Sequence, residues 1–284
     1  MVVYRAAAAP GAVRWPYRLY RALAAPLVSL WVHRRVLGAL ARHDLRASYA
    51  GTVGGVAWAV VGPLVPLLVL TAVFAAGLRL PMRGAPYLLG FATAYVPWTL
   101  LAASLTGAAG SIPTHRYLVK RVPFPVEVIP ASAILTQACA HVCLLALAVA
   151  ACAVGGHVRP GDLLLVPYFF GCAAVLAIGL GQIVAALAVV ARDVVQLLPS
   201  FLHVWFWLTP IAWSSDRLPA PAQALMALNP ASYVVAGYRH ALMPASFSLP
   251  TPRETAIFWA MTAAVLALSS ACFGRLRPHF WTTL

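Results

Sequence analysis

The feature that most constrains this chain is a series of apolar stretches long enough to cross a membrane. A membrane-spanning helix needs about 20 predominantly apolar residues, and this many such stretches cannot all be buried inside one soluble domain. The sequence therefore predicts an all-α integral membrane protein with six transmembrane helices. The predicted spans lie at about 56–78, 87–109, 126–154, 163–190, 194–213 and 256–273.

The distribution of positive charge predicts the orientation of these spans. Eight arginines but one acid, Asp44, lie in the first fifty residues, and two arginines follow the last span. Arg116, Lys120 and Arg121 form a second basic cluster between the second and third spans. Because basic residues accumulate in short loops on the cytoplasmic side, a multi-pass protein of the cell (plasma or inner) membrane with both termini in the cytoplasm is expected. This topology explains the net charge of +14 without nucleic acid.

Three regions are expected along the chain. Residues 1–14 form a disordered N-terminal arm, residues 15–50 an amphipathic interface helix, and residues 51–284 the transmembrane domain. In the interface helix, three arginines fall within an arc of roughly 40° at 100° per residue, and three leucines fall on a different side. Such a helix lies along the membrane surface. The two sides carry Arg35, Arg42 and Arg46, and Leu30, Leu37 and Leu40, respectively.

A long segment separates the fifth and sixth predicted spans, at about 214–255. It is rich in proline but contains an apolar run, Pro221–Met243. The run is too interrupted to cross the bilayer. It is therefore predicted to form one or two short re-entrant helices that dip into the outer leaflet.

Two glycines precede the first span. Gly51 and Gly55 form a Gly-x-x-x-Gly pair. Because this spacing lets two helix backbones approach closely in a membrane, the pair is expected to support helix packing.

Catalytic and nucleotide-binding motifs are missing from the sequence. A phosphate-binding P-loop requires Gly-x-x-x-x-Gly-Lys followed by Ser or Thr, whereas the single lysine, Lys120, stands between Val119 and Arg121. The six acids are all more than twenty residues apart, so an aspartate-rich metal site is not expected as a linear motif. The chain is therefore expected not to be an enzyme and to hold no metal or cofactor, and any ATP would be hydrolysed by a different polypeptide.

Histidine and cysteine within the spans are also expected to be structural. Cys139 and Cys143 share one helix face while His141 lies about 200° around the helix from Cys139, so the three cannot converge on one ion. His141 and His203 lie deep in predicted spans. For both, a neutral imidazole that is hydrogen-bonded across a helix interface is favoured over proton transfer, which stays open.

Aromatic residues suggest a pathway through the membrane. In the second span four aromatic residues recur at i, i+4, i+8 and i+11, which places them on one helix face. Such a stripe could give sugar rings sliding contacts of low specificity; packing between helices or against lipid is the alternative, and an interfacial position would explain Tyr87 alone. The candidate conduit residues are Tyr87, Phe91, Tyr95 and Trp98 of the second span, and Phe201 and Trp205 of the fifth.

Five motifs occur in a fixed order from about residue 30 to the end of the chain. The first motif begins with a basic residue, then Asp-Leu, then another basic residue. Tyr, Gly and Trp follow, and a span interrupted by proline comes after them. This motif consists of Arg42, Asp44, Leu45, Arg46, Tyr49, Gly55, Trp58 and Pro63. The others are Leu118–Pro130 with its Phe-Pro-x-Glu ending, the Arg-Asp turn and aromatic span of Ala191–Trp213, Asn229–Leu242, and the terminal Arg277–Leu284.

This set of motifs resembles the ABC-2 type permeases of polysaccharide exporters, which move O-antigen, capsule, teichoic acid or related polymers in cell-envelope biogenesis. The alanine-rich first span, and Ala47 and Ala50 beside Tyr49, depart from the family pattern. The resemblance implies a half-transporter: two copies form the membrane pathway, and each is coupled to a separate ABC ATPase that binds ATP and Mg²⁺. The cargo implied is a lipid-linked glycan or polyol-phosphate polymer moved outward.

In such permeases the N-terminal interface helix and the loop between the second and third spans dock on the ATPase. The resemblance therefore assigns to the partner interface Arg42, Asp44, Arg46, Arg116, Lys120, Arg121 and Glu127. Ordinary positive-inside topology would explain the sign of these charges but not the Asp-Leu-Arg order. An ABC-2 permease for a drug or simple lipid remains an alternative, and an integral membrane enzyme is disfavoured.

Overall fold

The computed structural model describes residues 27–77, 79, 82, 85–121, 125–214 and 219–283. Its α-helices are α1 Arg34–Tyr49, α2 Trp58–Thr71, α3 Tyr87–Thr114, α4 Arg116–Arg121, α5 Val128–Val154, α6 Leu165–Val190, α7 Asp193–Leu208, α8 Ala220–Met226, α9 Pro230–Leu242 and α10 Pro252–Thr283. A 3₁₀ turn at Gly55–Ala57 and a π-helical segment at Ala72–Gly77 extend α2 at its two ends, and a 3₁₀ turn at Asp162–Leu164 precedes α6. The described part of the chain contains one isolated bridge, Met82 to Ala85, and no strand, which confirms the all-α prediction.

Within the described residues, five helical segments have the length and composition needed to cross a membrane. The fifth predicted span, 194–213, overlaps α7, whose 16 residues give a length of about 24 Å, short of the roughly 30 Å hydrocarbon core. The number of six spans therefore stays a prediction. The five segments are Trp58–Gly77, Tyr87–Thr114, Val128–Val154, Asp162–Val190 and Pro252–Leu276.

Helix α3 forms the centre of the bundle. It packs against α5, α6, α7 and α9. In its most apolar 18-residue stretch 67% is buried, whereas in the corresponding stretch of the segment that contains α2 11% is buried. Helix α10 packs against α6. At this contact a Cβ added to Gly179 would lie only 2.8 Å from Cγ1 of Val265, so the absent side chain is what lets the two helices approach.

Helix α1 packs against the N-terminal half of α5 through its leucine side. Leu30 and Leu37 lie in one cluster with Val128 and Ala131, and Leu40 packs on a second cluster that includes Ile129. The predicted separation of leucine and arginine sides is therefore present, and the leucines contact protein. The exposed side carries Arg35, Arg42 and Arg46.

Part of the predicted N-terminal organisation lies outside the described residues. The arm at 1–14 and the first twelve residues of the predicted interface helix belong to this part. Within the description the segment is helical from residue 27, with a turn at His33 before α1 begins. The side chains of Lys120 and Arg121 also lie outside the description, although their backbone belongs to α4.

Two short helices, α8 and α9, occupy the segment between α7 and α10, as the sequence predicts. Asn229 and Pro230 start α9 in a way that their chemistry explains. The Asn229 side chain accepts a hydrogen bond from the backbone N–H of Ala231 at 3.1 Å, which caps the helix. Pro230 stands at the first helical position, where no N–H is needed. Most of α9 is buried, and it packs against α3 and α6.

The expectation that Gly51 and Gly55 bring helices together is wrong for the described chain. Both residues lie in the turn between α1 and α2, with φ of 77° and 51°. A Cβ added to either would meet no heavy atom within 4 Å. These glycines provide a left-handed backbone conformation that other residues adopt at a cost.

Candidate functional site

Those charged residues of the predicted partner interface whose side chains are described lie at one end of the bundle. Arg42 and Arg46 lie one turn apart on the exposed side of α1, and Arg116 is exposed at the start of α4. Glu127 is half-buried at the N-cap position of α5. The end of α3, α4 and the beginning of α5 follow one another along the chain, and α1 lies against α5. Basic side chains from two elements therefore face outward at this end.

Asp44 behaves differently from its arginine neighbours, because its carboxylate points into the protein. Its side chain is 18% exposed, and Oδ1 lies 3.1 Å from Nε2 of His115. Ser132 donates its hydroxyl to Oδ2 at 3.3 Å. Asp44 thus connects α1 to the C-terminal cap of α3 and to α5. Its assignment to the ATPase interface stays a prediction.

Sequence reasoning missed His115 as a site residue. It is only 7% exposed, and it follows α3 directly as its C-cap residue. Asp44 and His115 stand 71 residues apart, so no linear motif joins them. The available signal was a histidine directly before the basic cluster that begins with Arg116.

Three rings of the aromatic stripe on α3 contact one another in succession. The ring centroids of Tyr87 and Phe91 are 6.0 Å apart, and those of Phe91 and Tyr95 are 5.4 Å apart. The Tyr87 hydroxyl donates to the carbonyl of Ala212 at 2.6 Å. The stripe therefore also holds the chain that follows α7.

Helix α7 covers the C-terminal part of this stripe. Trp98 packs edge-on against Trp205 at 5.5 Å and against Phe206 at 5.7 Å. Phe91 has no exposed surface and Trp98 is 6% exposed, whereas Phe201 is 60% exposed. In a single chain most of the stripe is thus interhelical packing, and Phe201 is the predicted conduit residue with the most accessible ring. The conduit itself stays a prediction.

The two histidines of the predicted spans have different environments. His141 is buried, its Nε2 lies 3.0 Å from the hydroxyl of Tyr238 in α9, and its ring stacks on Phe170 at 5.6 Å. It makes the expected bond across a helix interface. His203 is exposed and accepts instead from Nε1 of Trp207, one turn along its own helix, at 3.2 Å.

Together these features describe an α-helical membrane bundle with an exposed basic surface at one end and an aromatic contact between α3 and α7. The sequence profile of the ABC-2 type transporter family matches residues 35–243. Since this match covers more than half of the chain, the protein belongs to the ABC-2 type transporter family. Of the motifs used above, all but the terminal Arg277–Leu284 lie within the matched region.

Several curated proteins are similar to this chain. The O-antigen export system permease protein RfbA of Myxococcus xanthus is 26% identical over 258 residues, which cover 88% of this chain and 96% of the relative. A protein of the same name from Klebsiella pneumoniae is 24% identical over 210 residues, or 73% and 80% of the two chains. A second Klebsiella pneumoniae protein of that name is 22% identical over 209 residues.

Proposed function

We propose that this chain is the membrane permease subunit of an ABC exporter that moves a cell-surface polysaccharide outward across the cell membrane. The observation that carries this proposal is the similarity to an O-antigen export permease over 88% of this chain and 96% of the relative. The order of the five sequence motifs supports the same cargo class. The polymer is lipid-linked, of the O-antigen or teichoic-acid type.

A separate ABC ATPase supplies the energy in this proposal, and it binds the ATP and Mg²⁺. The support is the exposed basic surface formed by Arg42, Arg46 and Arg116. Exposed cations attract a partner of opposite charge and orient its approach. Conformational change in the ATPase would then reach the bundle through α1 and α4.

A second copy of the chain completes the pathway. The support is a large exposed apolar surface on α2 and α7, where Val65, Leu68, Phe201 and Val204 are each more than half exposed. A surface of this kind faces either lipid or another helix. We place the polymer between the two copies, where Phe201 and the half-buried Trp205 offer ring faces to sugars.

The proposal is tested by removing the gene from its natural host and restoring it in trans. Loss of the permease should abolish the surface polymer and cause the lipid-linked polymer to accumulate inside the cell, because synthesis continues without export. Surface staining and extraction of lipid-linked glycan measure the two pools. If the surface polymer is unchanged and export of a drug or a simple lipid is lost, the alternative cargo is assigned instead.

A further inference from the structure

One cluster of polar side chains is not explained by transport. Among the described residues, His43, Asp44 and His115 form a group whose nitrogen and carboxylate ligand atoms all lie within 4.8 Å of one another. His43 and Asp44 are adjacent on α1, and His115 caps α3. The group therefore joins the interface helix to the central helix of the bundle.

Hydrogen bonding defines which nitrogen of His115 carries a proton. Nδ1 lies 3.0 Å from the backbone carbonyl of Ser111. A carbonyl only accepts hydrogen bonds, so Nδ1 carries the hydrogen and Nε2 of a neutral imidazole has a lone pair. That lone pair faces Oδ1 of Asp44 at 3.1 Å. Since an ionised carboxylate also only accepts, this contact needs either a second proton on His115 or a metal ion bound by both atoms.

Two of the three separations within the cluster are close to those of a metal site. Oδ1 of Asp44 lies 3.1 Å from Nε2 of His115 and 3.3 Å from Nδ1 of His43. In a tetrahedral site with metal–ligand bonds of about 2.0–2.2 Å, neighbouring ligand atoms are about 3.3–3.6 Å apart. The two contacts lie at or slightly below this range, and the His43 and His115 nitrogens lie within 4.8 Å of each other. Imidazole nitrogens with a carboxylate suit Zn²⁺ and related transition metals better than Mg²⁺ or Ca²⁺.

The surrounding residues hold two of the ligands in orientation. The Ser111 carbonyl fixes the tautomer of His115, and the Ser132 hydroxyl holds the second oxygen of Asp44 at 3.3 Å. Hydrogen-bonded groups of this kind are typical of ligands in metal sites. The His43 side chain is 68% exposed, which leaves room for a water molecule as fourth ligand.

We propose that His43, Asp44 and His115 bind one divalent transition-metal ion, of which Zn²⁺ is the representative, and that this ion fastens α1 to the end of α3. The site goes beyond the proposed transport function, although it shares Asp44 with the predicted ATPase interface, and it departs from the expectation that this chain holds no metal. The spacing explains why the sequence did not reveal it, because two ligands are adjacent and the third lies 71 residues away.

The test is metal binding by the full-length chain, purified in lipid nanodiscs through a tag without histidine and stripped with EDTA. Titration with ZnCl₂ in a calorimeter should show one ion per chain. His43→Ala and His115→Gln should each lower the affinity at least tenfold, by comparison with losses of that size when groups around a metal site are removed. The matched control is His157→Ala, which removes a histidine beyond the opposite end of α5 and should leave the affinity unchanged.

Melting curves keep the test independent of folding defects. In the absence of metal, His43→Ala should melt at the same temperature as the native chain, because His43 is exposed. Added Zn²⁺ should raise the melting temperature of the native chain but not that of His43→Ala. Binding well below one equivalent would overturn the proposal, and a shared proton would then hold His115 and Asp44 together. Equal losses in His43→Ala and His157→Ala would also overturn it, as adventitious binding.

Discussion

Arg239 shows how a single side chain holds an irregular part of this membrane protein together. It is 5% exposed, and its guanidinium donates to the carbonyls of Pro210 at 2.7 Å and Ile211 at 2.6 Å. Its Nε donates to the carbonyl of Gly90 at 3.2 Å. The chain after α7 is not helical, so these buried carbonyls need donors from elsewhere. The rigid fork of arginine supplies several at once.

We expect Arg239→Lys to lower the free energy of unfolding by about 2 kcal/mol or more, since hydrogen bonds to charged groups contribute roughly 1.5–3 kcal/mol each. A lysine ammonium cannot reach carbonyls on both α3 and the segment after α7 with the same geometry. Thermal unfolding in detergent, followed by loss of monodisperse protein, measures the effect. Arg253→Lys, at an exposed position of α10, is the control. Equal melting of the two variants would contradict the assignment.

At the scale of helices, the contact between α3 and α7 decides which aromatic residues could meet cargo. Trp98 is packed against Trp205 and Phe206, whereas Phe201 projects outward from α7. A residue that packs between helices has to be buried, whereas a residue that lines a pathway has to be accessible to cargo. Truncating Trp98 and Phe201 one at a time therefore distinguishes packing from a role in the pathway.

Trp98→Ala should destabilise the bundle by roughly 3–5 kcal/mol, because it leaves a cavity between two helices. Phe201→Ala should change stability by only about 0.5 kcal/mol, since most of its ring is exposed, but should slow export if the ring contacts sugars. Melting temperature and an export assay are measured side by side for both variants. Normal export by stable Phe201→Ala protein would remove Phe201 from the conduit.

The exposed side of α1 gives a second prediction at this scale. Reversing Arg42 and Arg46 to glutamate should weaken binding of the ABC ATPase without unfolding the permease, because both side chains are exposed and exposed charges contribute little to stability. Co-purification with the co-expressed ATPase, at two salt concentrations, measures the binding.

Arg253→Glu is the matched control for the α1 variants, since Arg253 is an exposed arginine at the first turn of α10. It should leave ATPase binding unchanged. If the α1 double variant recovers the ATPase as well as this control does, Arg42 and Arg46 do not belong to the docking surface.

At the scale of the whole molecule, the basic ends of the chain predict where its termini lie. The five helices that meet the requirements for crossing would place the termini on opposite sides of the membrane. An additional crossing by the segment that contains α7 would return the chain to its starting side. The location of the termini therefore decides between the two arrangements.

We expect both termini in the cytoplasm, because of the arginines near each end. In a cysteine-free background, Ala8→Cys and Thr283→Cys should react with a membrane-impermeant maleimide only after the cells are permeabilised. Ser248→Cys, at an exposed position between α9 and α10, should react in intact cells. Labelling of one terminus in intact cells would rule out the six-span topology.

Properties that depend on nearby residues could be predicted from the sequence. The all-α class and five of the spans follow from apolar length, and the leucine side of α1 and the stripe on α3 follow from helical periodicity. The short helices between α7 and α10 follow from the interrupted apolar run. The fifth predicted span is the exception, because α7 ends at Leu208 before it reaches membrane length.

The tertiary structure alone decided which of these surfaces meet. Asp44 reaches His115 across 71 positions, and Arg239 reaches the carbonyl of Gly90 across 149. The α3 stripe is buried because α7 packs on it, and its periodicity would be the same if it lined a pathway. The physical reason is that helix period depends on the local backbone, whereas burial and polar pairing depend on how helices remote in sequence pack together.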